Sequence, residues 1–208
     1  MKRSPSRSAF TLIEMITVIT VIAILTGIVL SIAGMVQNKG YRAKAEAEIK
    51  ALSAACEAYK ADNGGYPQDA ETDKLDARTA TAPATYQTAC LALYKALSGD
   101  IDLDGKTSKT EAETGKTYVT DFFKPNRFNS SFKTSGKVAF LVDPFSNSYG
   151  YSTAGLKAEQ DFRTQLATNE KATRSDTAKG FNSTFDLWST AGASGSSDND
   201  KAKWLKNW

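Results

Sequence analysis

Twelve residues in the middle of the chain have the composition and spacing of a cation-binding loop: Asp100-Ile-Asp102-Leu-Asp104-Gly105-Lys106-Thr-Ser108-Lys-Thr-Glu111. They match D-x-[DN]-x-[DN]-G-x5-E at every fixed position. Calcium gathers about six to eight oxygens around one point. This spacing offers the carboxylates of Asp100, Asp102 and Asp104, a glycine for the sharp turn, and the carbonyl of Lys106. Ser108 would contribute through a water and Glu111 as a bidentate ligand. Thr107 stands where an apolar residue is usual, and EAETGKT makes a poor exiting helix, so the loop is closer to half an EF-hand. Calcium bound there would be structural, since one helix and one ion do not make a sensor. The other reading is a solvated acidic turn whose aspartates bond their own backbone.

Other reactive groups are few. The chain contains no histidine, which removes the usual general base near neutral pH, the commonest metal ligand and the Ser-His and Cys-His nucleophile pairs. No G-x-S-x-G or phosphate-binding loop is present, so no enzymatic activity is expected. Lys and Arg number 26 against 23 Asp and Glu. So small an excess makes no broad basic field and argues against a nucleic-acid partner. The two cysteines, Cys56 and Cys90, fall on the apolar faces of two expected helices. They can form a disulfide in an oxidising compartment or remain two buried free thiols.

The elements that must carry these groups begin with a helix. From Met15 to Val36 the sequence runs 22 residues without a charge, about 33 Å as a helix and enough to cross a bilayer. Lys2, Arg3 and Arg7 precede it with no acid among them, so this end should stay cytoplasmic. The apolar run is too long for an ordinary cleaved secretory signal. Glu14 stands in AFTLIEM, just inside the wider apolar segment, and a carboxylate at bilayer depth costs about 2.5 to 3.5 kcal/mol. The helix should continue through the Ala-, Glu- and Lys-rich stretch Tyr41 to Asp62, where Ile49, Leu52, Cys56 and Tyr59 make one apolar stripe. Asn63-Gly64-Gly65 and Pro67 stop it. After a polar segment from Gln68 to Pro83, a second helix is expected over 84–99, with Tyr86, Cys90, Leu93 and Leu97 on one face. Short strands are expected at Lys137 to Val142, Ser148 to Thr153 and Ser183 to Ser189. The expected fold is α+β, a long helix against a small antiparallel sheet.

Ala9-Phe10-Thr11-Leu12-Ile13-Glu14, after a charged leader and before a span-length apolar run, resembles the class III signal of type IV pilins and type II secretion pseudopilins. The resemblance implies a leader at 1–9, cleavage by prepilin peptidase between Ala9 and Phe10, N-methylation of Phe10, and Glu14 as the assembly residue. It divides the rest into a stem helix at 10–62, with 10–36 as its transmembrane and assembly part, and a periplasmic globular domain at 63–208. Where relatives usually carry Gly before the cut this chain has Ala9. Where many carry Pro, it has Ser31, leaving Gly27 and Gly34 as weaker candidates for a helix break.

Further along, Asp143-Pro144-Phe145-Ser146-Asn147 before Tyr149, the FDLWS stretch Phe185 to Ser189, and the ending Lys206-Asn207-Trp208 are similar to the G-type major pseudopilin. That likeness implies a tail calcium site at Asp198 and Asp200, although Ala193-Ser194-Gly195 replaces the family's ADG. A flexible Gly/Ser/Asp tail is the alternative. The resemblance implies a structural subunit of a type II secretion pseudopilus, anchored in the inner membrane by one span. Its partners would be other copies of itself, minor pseudopilins and the inner-membrane assembly platform. A type IV pilus major pilin, and a membrane-anchored calcium-dependent binding module, are the other readings. Removing 1–9 would remove Lys2, Arg3 and Arg7 and leave equal numbers of acidic and basic residues.

Overall fold

The computed structural model describes residues 10–106, 116–119, 127–128, 135–168, 171, 173, 179–193, 195 and 197–208. Two compact units are present, Met1–Gly40 and Tyr41–Trp208, and helix α1, Leu12–Asn63, has residues in both.

In the first unit, α1 is continuous through Gly27, Ser31 and Gly34. The large apolar side chains from Phe10 to Val36 are 50% to 78% exposed. Three hydroxyls inside this run fold back onto the helix. Thr17 and Thr20 donate to Ile13 O and Ile16 O at 3.0 and 2.8 Å, and Ser31 donates to Ile28 O at 2.8 Å. These three hydroxyls are satisfied by the helix itself, as an apolar surround requires.

In the second unit, the later turns of α1 bury Ala45, Ile49, Leu52 and Cys56 at 0% to 4% exposure. Ile49, Leu52 and Cys56 pack with Leu93, Tyr94 and Leu97 of helix α3, Gln87–Ser98, and with Tyr149, Tyr151, Phe185 and Leu187. Each such aliphatic side chain contributes about 1.5 to 3 kcal/mol. The helix α1 ends as its sequence requires, with Gly64 at φ +77° and its N–H returned to Lys60 O at 2.8 Å.

The polar segment after Pro67 contains a short helix that the hydrophobic pattern did not announce, α2, Ala70–Lys74. Asp69 and Thr72 cap it reciprocally: Asp69 Oδ1 accepts Thr72 N at 2.9 Å and Thr72 Oγ1 accepts Asp69 N at 2.9 Å. Expected as one helix over 84–99, the next element divides into a 3-10 turn, Pro83–Tyr86, and α3, which Gly99 closes at φ +73°.

The sheet has three antiparallel strands in the order β1, Gly150–Ser152, then β2, Asp186–Ser189, then β3, Leu205–Lys206. Gly150 faces Trp188 and Tyr151 faces Leu187, while Trp188 faces Lys206. A Cβ on Gly150 would stand inside the Trp188 indole, so this position admits no side chain. Of the strand expected at Lys137 to Val142, only Leu141 and Val142 make isolated bridges, to Phe128 and Ser148. Loops hold its backbone: Val138 N donates to Leu103 O at 2.8 Å and Val142 N to Arg127 O at 2.9 Å. Sequence reading also missed α4, Ala154–Thr168, and the single turn α5, Asp198–Lys201.

Candidate functional site

Two places carry the chemistry singled out above. At the start of α1, Glu14 is the third helical residue after Thr11, and the two cap each other. Thr11 N donates to Glu14 Oε2 at 2.7 Å, Thr11 Oγ1 donates to the same oxygen at 2.8 Å, and Glu14 N donates to Thr11 Oγ1 at 3.3 Å. The T-x-x-E spacing of a capping box was present in the sequence. Glu14 therefore begins the apolar segment with its charge already hydrogen-bonded to its own chain. Phe10, beside it, is 74% exposed. Ala9 and the rest of the leader lie outside the described residues.

The second place follows α3. Asp100, Asp102 and Asp104 each bring one carboxylate oxygen to within 4.8 Å of the others. Asp100 is fully buried. Its Oδ1 accepts Leu103 N at 2.6 Å, and its Oδ2 accepts Gly105 N at 2.9 Å and the hydroxyl of Tyr94. Burial and this carboxylate together push the Tyr94 hydroxyl well above the usual tyrosine range. The turn is tight enough that Leu103 takes φ +65° and Gly105 φ +74°, a left-handed conformation costly for leucine. At the exposed rim, Asp102 Oδ1 accepts Asp104 N at 3.2 Å, and Asp104 pairs with Lys106 Nζ at 2.7 Å. The hydrogen bond from Lys106 holds the Asp104 carboxyl below its ordinary value.

This donor set fits a hard cation. Three carboxylates converge on one point, and the charge drawn to them here is the ammonium of Lys106. A divalent ion would take its place with oxygen ligands on one side. Ser108 and Glu111, which would complete the shell, lie outside the described residues.

Asp198 and Asp200 sit two apart on α5, a spacing that puts them on different faces of a helix. Asp200 is engaged locally, accepting Ser197 Oγ at 2.6 Å and lying 3.6 Å from Lys203 Nζ. A Cβ on Gly195 would meet the Asp200 carboxylate, so glycine in the sequence Ala193-Ser194-Gly195 lets the tail close on that side chain.

Cys56 and Cys90 are free thiols, both buried. Cys90 Sγ lies 3.7 Å from Leu141 O. Burial pushes Cys56 up to about 12 and raises Cys90 as well.

Sequence reading passed over several polar groups that hold the second unit together. Glu48 is 6% exposed and accepts from both Arg127 Nη2 and Tyr149 OH. Its signal was available, since Ala45, Glu48, Ile49 and Leu52 share one helical face. Asp143 staples the DPFSN turn, accepting Phe145 N, Asn147 N and Ser189 Oγ at 2.9, 2.8 and 2.5 Å. Asp186 does the same for residues 181 and 182, at 2.8 and 2.9 Å. Burial raises both carboxyls above their ordinary value.

No curated protein and no solved structure matches the chain. A family model, the prokaryotic N-terminal methylation motif, matches residues 4–30. Those residues include Phe10 and Glu14 and the first turns of the apolar helix. The chain therefore carries a prokaryotic N-terminal methylation motif at the start of its apolar helix.

Proposed function

We propose that this protein is a structural subunit of a type II secretion pseudopilus. In this reading prepilin peptidase cuts between Ala9 and Phe10 and methylates Phe10, and copies polymerise through the apolar half of α1 to help export folded periplasmic proteins. Before assembly the chain is held in the inner membrane by one span, with the globular part in the periplasm. The observation that carries the reading is the methylation motif at 4–30 on a helix whose apolar residues from Phe10 to Val36 stand exposed in the single chain. A surface of that size needs either lipid or other helices around it. Export rather than adhesion or twitching is favoured by the Asp143–Asn147 turn, the Phe185–Ser189 strand and the Asn207-Trp208 ending, the stretches that resemble the G-type major pseudopilin.

Mass spectrometry of the mature protein should find N-methylated Phe10 as the first residue, and an intact Met1 would sink the proposal. Glu14→Ala should abolish polymerisation while leaving the cut intact. Deleting the gene should block export of folded proteins if the filament is a pseudopilus, and twitching or adhesion if it is a type IV pilus.

Calcium at the acidic loop is a separate part of the reading, carried by the convergence of Asp100, Asp102 and Asp104. Asp100 also staples Tyr94, Leu103 and Gly105, so the test uses Asp104→Asn and Glu111→Gln instead. Calcium should raise the melting temperature of the native chain and leave both variants nearly unmoved. An equal rise in all three would refute a site in this loop.

A further inference from the structure

Between Glu14 and Glu46 the chain has no acid and three cations, Lys39, Arg42 and Lys44, all beyond the charge-free run that ends at Val36. Arg42 and Lys44 belong to the second unit, and three separate stretches of that unit meet beside them. Its part of α1 begins with Tyr41, 47% exposed, whose ring stands edge-on to Phe145 at 5.7 Å between centroids. The DPFSN turn gives Phe145 itself, half-buried, followed by the exposed Ser146. Asp143 Oδ1 holds Phe145 N at 2.9 Å, and a Cβ on Gly192 would already press on the Phe145 ring at 3.0 Å. The tail gives Lys203, exposed, whose carbonyl accepts Arg42 Nη1 at 3.0 Å. Of the acids by this edge, Glu46 pairs with Lys50 at 2.8 Å. Asp200, 3.6 Å from Lys203 Nζ, already accepts Ser197 Oγ at 2.6 Å.

We infer that this edge of the second unit docks on the surface of a bilayer containing anionic lipid. Tyr41 and Phe145 enter the headgroup layer, where a ring finds apolar surroundings and a phenol stays wet. Arg42, Lys44 and Lys203 run their apolar stems along that layer and place their charges among lipid phosphates. The distance allows it, since only five residues separate Val36 from Tyr41, at most about 18 Å of chain. The inference rests on reading α1 as a membrane span, and on neither the filament nor export.

The test uses the full chain in nanodiscs, made either of phosphatidylcholine alone or of equal parts phosphatidylcholine and phosphatidylglycerol, each with a trace of lipid spin-labelled at the headgroup. Both native thiols are buried, so a thiol-reactive fluorophore goes to Ser146→Cys. A control label goes to Ala61→Cys, exposed and about 30 Å further along α1 than Tyr41. The label at 146 should be quenched in the anionic discs, and much less in phosphatidylcholine or in about 1 M salt, where the Debye length is about 3 Å. The label at 61 should stay bright throughout. Fluorescence lifetimes separate docked from free chains, and Lys44→Gln should lower their ratio about fivefold, with a further fall on adding Lys203→Gln. Both side chains are exposed, so these variants keep the fold. Equal quenching in the two kinds of disc, or at both label positions, would overturn the docking while leaving the span intact. Quenching that follows the number of chains per disc instead of lipid charge would assign the edge to a second copy and overturn it too. A chain that does not enter the discs would overturn the span and the docking together.

Discussion

The buried ion pair between α1 and the segment ahead of the sheet gives the sharpest quantitative test. The Arg127 and Glu48 side chains are 10% and 8% exposed, and Tyr149 OH donates to the same Glu48 oxygen. Removing one member of such a pair strands the other charge away from water, at a cost of about 3 to 5 kcal/mol. Arg127→Met strands the Glu48 carboxylate, and Glu48→Gln strands the guanidinium. For a unit the size of Tyr41–Trp208, each kcal/mol lowers the melting temperature by about 2 to 4 °C, so either variant should lose roughly 6 to 20 °C. Replacing both, Glu48→Leu with Arg127→Met, removes the charges together and should recover most of that loss. What remains, about 1 to 3 kcal/mol, belongs to the Tyr149 hydroxyl left without an acceptor, and adding Tyr149→Phe should erase it. Urea unfolding followed by tryptophan fluorescence reads this unit alone, because Trp188, Trp204 and Trp208 all lie within it. If Arg127→Met costs less than about 1 kcal/mol, the pair behaves as a surface contact and the reasoning fails.

Two further outcomes follow from burial. The Asp143 carboxyl is raised in the fold by burial, despite three donors. Its contribution is therefore full below the ordinary aspartate value and is lost as pH rises through the raised one. Asp143→Asn, which does not titrate, should destabilise most in acid and progressively less toward neutrality, and a penalty that grows with pH would contradict this. Cys56, pushed up to about 12, and Cys90, also raised, should both resist a disulfide-exchange reagent at about pH 8 in the native chain and react once it is denatured. Rapid labelling of either in the folded protein would show that the thiol is not shut in this core.

The α+β class and the end of α1 were legible because they rest on strong local signals: a charge-free run, an apolar stripe at helical spacing, and Asn63-Gly64-Gly65. Helix α4 was not, for a physical reason. Its only buried residue is Ala154, so it has no continuous apolar stripe to read. Its surface ion pairs, Lys157 with Asp161 and Arg163 with Glu159, are spaced four apart. The strand expected at Lys137 to Val142 has the right residue types, but its backbone partners are Leu103 O and Arg127, loop residues that no local pattern reveals. At the acidic loop the spacing placed three carboxylates together. What it could not show is that Asp100 is a buried staple while Asp102 and Asp104 stay at the rim, because burial depends on where Tyr94 and Leu103 come to rest.

The bonds between Glu14 and Thr11 change what assembly must accomplish. A carboxylate without a partner would make the lone subunit unstable in the membrane and filament entry steeply downhill. Here the acid has its hydrogen bonds made, so if copies polymerise as proposed and the amino terminus of one Phe10 meets Glu14 of the next, it would displace Thr11 instead of rescuing an abandoned charge. Under the proposed function, joining the filament is then a swap between two satisfied states with a small electrostatic difference. Such a balance lets subunits wait in the bilayer and lets a growing filament give them back. Thr11→Val, by removing the resident hydroxyl donor, should tilt that exchange toward the polymer.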